Sequence, residues 1–136
     1  MQPTLLAKVL VKNKDDNYLI LRSSERPENP RRSLQPDLPG GVVEKGETCL
    51  EGAVRELHEE TGIHIRASDL KCILSVDETH QGQLFRRFIY EVNVDLPEVA
   101  LSWEHDKYWW MTRDELAALK IREPYKTLFA GLGKHP

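Results

Sequence analysis

The sequence predicts a layered α/β domain, with strands before and after one central helix and more helix at the end of the chain. Short apolar or alternating segments are bounded by turn residues, as is typical of strands. One segment has helical spacing together with a start and a stop signal. The 136 residues are enough to bury about two thirds of the unfolded surface. We therefore expect residues 1–136 to form a single domain.

The first part of the chain predicts two strands and then a long loop. Apolar and polar positions alternate loosely from Met1 to about Asn13, which predicts a strand. Residues 13–17 have turn composition and residues 18–22 are apolar, so we expect a hairpin. From Ser23 to Pro36 the chain is rich in Ser, Pro, Arg and Glu, which predicts a loop. Loops of this length in a compact domain are commonly functional or mobile.

The central helix is predicted from Thr48 to Thr61. Thr48 and Glu51, three residues later, form a capping-box pattern, and Gly62 follows where the helix should stop. The apolar residues of the segment fall on one stripe: Leu50, Ala53, Val54 and Leu57. This stripe is expected to face the core.

The second half predicts three more strands, at Lys71 to Glu78, Leu84 to Asp95 and Lys107 to Met111. Residues 80–83 have the composition of the turn between the first two.

Two helices are predicted after these strands. Thr112 and Glu115 repeat the capping-box pattern ahead of an apolar run. Pro124 suits the first turn of a last helix, which should end near Gly131 or Gly133. Strands and helices in this order predict a mixed α/β arrangement in layers.

Composition excludes several classes of protein. The chain has 19 Lys and Arg against 22 Asp and Glu, a net charge of −3, so binding to duplex nucleic acid is not expected. No apolar run approaches the ~20 residues of a membrane-spanning helix, and the first residues do not resemble a secretory signal. Cys49 and Cys72 are the only cysteines, which predicts reduced thiols and a cytoplasmic protein.

Three glutamates on the predicted central helix are the main candidates for chemistry. Glu56, Glu59 and Glu60 are three and four residues apart or adjacent, so their carboxylates share one face. Like charges at this spacing destabilise a helix unless a cation lies among them. Oxygen ligands favour Mg²⁺ or Mn²⁺, and the glycines of segment 38–41 would let a backbone carbonyl approach the same ion. The alternative is an acidic face that is only solvated.

The spacing of residues around these glutamates resembles a known signature. Residues 41–63 match, at every specified position, the 23-residue signature of the Nudix hydrolases, through Gly41, Glu47, Arg55, Glu56, Leu57, Glu59, Glu60, Gly62 and Ile63. The resemblance implies an α/β/α sandwich with a mixed β-sheet. It also implies hydrolysis of a phosphoanhydride bond in a nucleoside diphosphate linked to another group, with Mg²⁺ or Mn²⁺.

The resemblance implies roles for individual residues. Glu56, Glu59 and Glu60 match the metal-binding glutamates, and Gly40 matches the glycine whose carbonyl often completes the site.

Other signature residues are expected to support that site. Arg55 and Glu47 match positions that orient the loop and the carboxylates, and a guanidinium that forks onto a carboxylate can hold its rotamer. Gly41 and Gly62 are interpreted as backbone requirements, for the loop's turn and the helix end.

The residue that accepts the proton of the attacking water stays open between two candidates. In some members of this family the base lies on the signature helix, which suggests Glu56, and in others on a later loop, which suggests Glu104. Residues 102–110 resemble the Glu-His segment and Trp-containing strand that many relatives place beside the metals. His105 could help in polarisation, or could simply be an exposed loop histidine.

Substrate contacts are predicted less directly. Arg22 and Arg32 lie on or next to the long loop and suit contact with phosphate, although a solvated loop would have the same composition. Trp110 could stack on a base. Trp109 and Trp110 should point to opposite faces of a strand, so at least one is expected in the core.

The sequence leaves the substrate and the function class with alternatives. Markers of the ADP-sugar, diadenosine polyphosphate and coenzyme A branches are not present, which leaves a nucleoside triphosphate or modified nucleotide as the leading substrate class. ADP-ribose or a nucleotide sugar is the alternative. A non-catalytic nucleotide-binding domain is the alternative of another class, and the retained glutamates argue against it. We expect the partner to be a small-molecule nucleotide and do not expect binding to a membrane. A homodimer is possible.

Overall fold

The computed structural model describes residues 2–132, which form one mixed sheet with helices on both sides. The elements in chain order are β1 (Thr4–Lys12), β2 (Tyr18–Ser23), β3 (Pro36–Asp37), β4 (Gly40–Val42), α1 (Cys49–Thr61), a 3-10 turn (Ala67–Asp69), β5 (Lys71–His80), β6 (Gln83–Asn93), β7 (His105–Met111), α2 (Arg113–Ala118) and α3 (Tyr125–Leu132). No helix within residues 2–132 is long and apolar enough to cross a membrane.

The sheet is built around β1. Its strands follow the order β3-β2-β1-β6-β5, while β4 also pairs with β1 and β7 pairs with β2. Strands β1 and β6 are parallel, with Thr4 opposite Phe85, and the other pairs are antiparallel. The predicted mixed sheet is therefore confirmed. Strands β1 and β2 contribute buried residues to both faces of the sheet. This explains why β2 is almost continuously apolar.

Two hydrophobic cores lie on opposite faces of the sheet because strand side chains alternate. On one face Val9 and Leu19 pack with Ala53 and Leu57 of α1. On the other face the buried residues of the strands pack with α2 and α3, in a cluster formed by Leu10, Tyr18, Ile20, Leu38, Ile89, Leu116, Ile121, Tyr125 and Phe129. The α/β/α sandwich expected from the sequence is confirmed.

The structure adds two short strands that the sequence did not predict. Strands β3 and β4 are only two and three residues long, too short for an alternating pattern to show. They lie on either side of Leu38 and Pro39 and hold the loop between them onto the sheet, where Val9 N donates to Pro39 O at 2.9 Å. The last helix includes Gly131, whereas Gly133, the other predicted end, lies outside the described residues.

Candidate functional site

Helix α1 is fixed at both ends by local interactions. Thr48 is its N-cap and exchanges side-chain and backbone hydrogen bonds with Glu51, which is the predicted capping box. Gly62 ends the helix in a left-handed conformation with φ of 77°. These two ends, together with Ala53 and Leu57 in the core, determine which face of α1 carries its glutamates.

Arg55 lies at the centre of an acidic cluster on this face. It donates to Glu47 through Nε at 3.1 Å and through a terminal nitrogen at 2.7 Å. Its other terminal nitrogen donates to Glu56 at 3.1 Å and to Glu59 at 3.2 Å. Glu47 is the largest of the causes that raise the pKa of Arg55, and Arg55 lowers the pKa of Glu47 to about 2. Arg55 therefore joins the loop before α1 to two of the predicted metal ligands.

Glu60 is the buried member of the glutamate set, with only 1% of its surface exposed. Its carboxylate accepts a hydrogen bond from Gly40 N at 3.2 Å. Glu60 therefore links α1 to residues 38–41, called the glycine loop below. Burial raises the pKa of Glu60 to about 9, and the close Glu56 carboxyl and the charge of Glu104 act in the same direction. A buried carboxylate with acidic neighbours needs a cation to be stable in its charged form.

His105 lies on the other side of Glu60. Its Nδ1 is 3.6 Å from a carboxylate oxygen of Glu60, and the ring is buried. Burial lowers the pKa of His105 to about 4, so the imidazole is neutral at pH 7 and does not supply the missing positive charge. Within the described part of the chain, its buried Nδ1 has no hydrogen-bond partner. The sequence alternative of an exposed loop histidine is wrong, because β7 begins at this residue and carries it inward.

The two adjacent glycines of the loop meet different steric requirements. Gly40 has φ of 145°, and a Cβ there would lie 2.1 Å from the carbonyl oxygen of Ala7. Gly41 does not have a left-handed backbone; a Cβ there would lie 2.9 Å from Oε1 of Glu56. Gly41 therefore makes room for a carboxylate, while Gly40 makes the unusual turn.

The glutamate carboxylates and the Gly40 carbonyl are suitable ligands for a hard divalent cation, although the side chains do not converge on a single position. Among residues 2–132, no group of three or more His, Cys, Asp or Glu side chains is arranged closely enough to hold an ion. Arg55 instead reaches Glu56 and Glu59 and offsets part of their negative charge. The carboxylates and the Gly40 carbonyl are all oxygen donors, the type that Mg²⁺ and Mn²⁺ prefer. The observation that fits a cation here is Glu60, which is buried and whose pKa stays raised although Lys8 acts to lower it.

A buried ion pair beneath the glycine loop was missed by the sequence reasoning. Lys8, on β1, is 5% exposed, and its Nζ lies 3.3 Å from the carboxylate of Asp37. The same ammonium donates to Leu38 O at 3.1 Å and to Gly40 O at 3.4 Å. Asp37 also contacts Arg122 at 3.2 Å. A lysine inside the apolar run of β1 was the available signal, since a lysine is almost never fully buried unless it is paired.

The loop that carries Glu104 is held against the long loop after β2. Ser24 N donates to Glu104 O at 2.9 Å, and Ser24 Oγ donates to Trp103 O at 2.7 Å. Arg26 also donates to Glu104 O, at 3.3 Å. The charge of Glu104 contributes to the raised pKa of Glu60. Both candidates for the base, Glu56 and Glu104, therefore lie around Glu60.

The predicted substrate contacts lie in different surroundings. Arg22 donates to Asp106 through two nitrogens, each at 2.8 Å, so its guanidinium is already engaged. Arg32 is about half exposed and lies 3.8 Å from the Asp37 carboxylate. Trp110 is partly buried against the core beside α1, while Trp109 is 40% exposed. This agrees with the expectation that one of the two tryptophans belongs to the core.

Comparison with known proteins gives one family. The NUDIX domain model matches residues 3–132. The chain is 28% identical over 116 residues to diphosphoinositol polyphosphate phosphohydrolase NUDT4B of Homo sapiens, which is 81% of this chain and 58% of that protein. It is 35% identical over 100 residues to the asymmetrical bis(5'-nucleosyl)-tetraphosphatase of Mus musculus, covering 68% and 67% of the two chains.

Solved structures agree with this match. The MutT protein of Methanosarcina mazei Go1 superimposes with a TM-score of 0.83 and 25% identity, over 98% of this chain and 95% of that one. The NUDIX domain of Shewanella oneidensis NrtR, solved with ADP ribose, shares the fold alone, with a TM-score of 0.77 and 13% identity over 98% and 88% of the chains. The chain spans 58% and 65% of the lengths of two human diphosphoinositol polyphosphate phosphohydrolases.

Proposed function

The chain belongs to the Nudix hydrolase family, and we propose that it cleaves a phosphoanhydride bond in a nucleoside diphosphate linked to another group. The leading substrate class is a nucleoside triphosphate or a modified nucleotide, which would make the protein a pyrophosphohydrolase. One observation carries the proposal: the Glu60 carboxylate is buried beside Gly40 and Glu56, and neither the Gly40 N–H nor the charge of Lys8 offsets this burial, so a bound cation would stabilise its charged form. We further propose that residues 1–136 are one such domain.

We propose that Glu56, Glu59 and Glu60 hold Mg²⁺ or Mn²⁺ together with the carbonyl of Gly40. The buried position of Glu60 and the hard oxygen donors support this set. When bound, the cation neutralises the diphosphate and lowers the pKa of the attacking water. Arg55 would position Glu56 and Glu59, since it already contacts both carboxylates.

A side chain must also take the proton of the attacking water, and we propose Glu56 or Glu104 for this role. Both carboxylates raise the pKa of Glu60, which supports a position for each of them near Glu60. Glu104 lies on a loop whose backbone is held by Ser24 and Arg26, so its position is set by the loop after β2. Proton transfer needs a base within hydrogen-bond reach of the attacking water.

We propose that Arg32 contributes to substrate binding, because half of its side chain is exposed next to the glycine loop. The roles proposed for Arg22 and Trp110 are supported less well. Asp106 already accepts both hydrogen bonds of Arg22, and Trp110 packs against the core.

The relatives suggest which other substrates deserve testing. Curated relatives are named for hydrolysis of diphosphoinositol polyphosphates and of bis(5'-nucleosyl) tetraphosphates. One structural neighbour was solved with ADP ribose, so ADP-ribose and nucleotide sugars are included as alternative substrates. A non-catalytic nucleotide-binding domain is the alternative of another class, and the presence of all three signature glutamates argues against it.

The test is release of phosphate or pyrophosphate from a panel of compounds with and without Mg²⁺. The panel contains nucleoside triphosphates, modified triphosphates, diadenosine tetraphosphate, a diphosphoinositol polyphosphate, ADP-ribose and other nucleotide sugars. We expect metal-dependent turnover of triphosphates above that of the sugars. Nucleotide binding without turnover of any compound would support the non-catalytic alternative and refute the enzymatic one.

A further inference from the structure

A cleft lined by basic side chains lies away from Glu56, Glu59 and Glu60. It measures about 430 Å³ and lies beside the connection between α2 and α3, lined by Gln35, residues 117–122 and Lys126. Three of the lining side chains are cationic: Lys120, Arg122 and Lys126. None of the described residues that line it is acidic. A cleft lined by one sign of charge concentrates the field and attracts the opposite charge.

The cleft is connected to the proposed active site through Arg122. Its guanidinium donates to Pro36 O at 3.0 Å and lies 3.2 Å from Asp37, three residues before Gly40. Asp37 also receives Arg32 at 3.8 Å and the buried Lys8 at 3.3 Å. Three cations therefore share the Asp37 carboxylate, so positive charges outnumber negative ones among these four groups.

Glu123, the acidic residue of the α2–α3 connection, does not line the basic cleft. Glu123 accepts hydrogen bonds from Thr127 N at 2.8 Å and from Thr127 Oγ1 at 2.6 Å. It lines a separate, mainly apolar groove with Leu74 and Val76 of β5. Glu123 therefore does not neutralise the cations that face the basic cleft.

We infer that the basic cleft binds phosphate groups of the substrate that lie beyond the diphosphate held at α1. This inference rests on the proposed function and narrows its substrate class. Lysine and arginine side chains bind phosphate through charge and hydrogen bonds, and Arg122 adds a planar set of donors to the cleft. Nucleoside triphosphates, dinucleoside polyphosphates and highly phosphorylated polyols carry such groups. ADP-ribose does not, because its two phosphates both belong to the diphosphate that is cleaved.

Binding of inorganic tripolyphosphate in EDTA tests the cleft without any need for catalysis. The test variant is Lys120→Gln/Lys126→Gln, and the charge-matched control is Lys14→Gln/Lys71→Gln, which changes two exposed lysines that do not line the cleft. By calorimetry we expect the affinity to fall at least tenfold in the test variant and less than twofold in the control. Equal losses in both, or no binding to the unmodified protein, would overturn the inference.

Kinetics then decide whether the bound phosphate belongs to the substrate. For a nucleoside triphosphate with Mg²⁺, we expect the test variant to raise KM about tenfold while kcat changes less than twofold. Loss of tripolyphosphate binding with an unchanged KM would mean that the cleft holds a separate anion, and would overturn the assignment to substrate. If the protein hydrolyses nothing, the proposed function fails, whereas the calorimetric result still decides whether the cleft binds phosphate.

Discussion

The Nζ of Lys8 lies 3.3 Å from the carboxylate of Asp37, and both side chains are buried beneath the glycine loop. Burial by itself would lower the pKa of Lys8, yet Asp37 keeps it above the usual value. Because the same ammonium donates to Leu38 O and Gly40 O, this pair fixes the backbone that adjoins the proposed metal site.

We expect Lys8→Met to destabilise the protein by about 3 kcal/mol, because removing one partner of a buried pair leaves the other charge uncompensated. Arg122 still contacts Asp37 in this variant and limits the loss. The free energy of unfolding in urea measures the effect. The control is Lys14→Met, which changes an exposed lysine in the turn after β1 and should alter stability by less than about 0.5 kcal/mol. A loss for Lys8→Met no larger than that of the control would refute this account of the pair.

Asp37 should make stability depend on pH at the acidic end. Burial by itself would raise its pKa, but Lys8 and then Arg122 outweigh that effect and hold the value at about 2. A lowered pKa means that the stabilisation is complete above the unfolded value near 3.8 and is lost as the pH falls through about 2. We expect the stability difference between the unmodified protein and Asp37→Asn to shrink by about 2 kcal/mol between pH 5 and pH 2. A difference that does not change with pH would contradict the assignment.

Glu60→Gln should separate stability from activity. The change removes a buried carboxylate from acidic neighbours, so the metal-free protein should be as stable as before or more stable. Mg²⁺-dependent turnover should fall by orders of magnitude, because the amide is a poor ligand for a hard cation. Thermal unfolding in EDTA and steady-state kinetics measure the two effects, with the exposed Glu98→Gln as control. Unchanged turnover in Glu60→Gln would remove this residue from the proposed metal set.

Variants of the two candidate bases should give unequal rates. Loss of a general base lowers kcat by about 10²–10⁴-fold. If Glu104 is the base, Glu104→Gln should cause that loss. If Glu104→Gln slows the reaction far less than Glu56→Gln, the base lies on α1. The apparent affinity for Mg²⁺ is the control measurement, since Glu56→Gln should weaken it and Glu104→Gln should not.

The two loop glycines should respond differently to alanine. Gly40→Ala would place Cβ 2.1 Å from a backbone oxygen at φ of 145°, so we expect a loss of stability above about 3 kcal/mol. Gly41→Ala meets only the end of the flexible Glu56 side chain, at 2.9 Å. Here we expect a loss of about 1 kcal/mol or less together with a clear fall in Mg²⁺-dependent turnover. Equal losses of stability in the two variants would show that Gly41 is also a backbone requirement.

Features that depend on short stretches of chain were predictable. The limits of α1 follow from Thr48, Glu51 and Gly62, and each of these acts within one helical turn of its partner. The long strands were expected close to where they occur, because their alternation is also local. Strands β3 and β4 were not expected, since two or three residues acquire strand geometry only by pairing with β2 and β1.

The sequence by itself determined the helix that carries Glu56, Glu59 and Glu60 and the spacing that places them on one face, because helical geometry is periodic and local. Only the tertiary structure decided that Glu60 is buried beside Gly40 and His105, that Lys8 pairs with Asp37, and that Arg32 and Arg122 meet at one carboxylate. Arg32 lies five positions before Asp37, and the other contacting partners are 20 to 85 positions apart along the chain. Their charges and burial depend on how β1, the glycine loop and the α2–α3 connection pack together. A sequence pattern that spans only a few residues does not predict this packing.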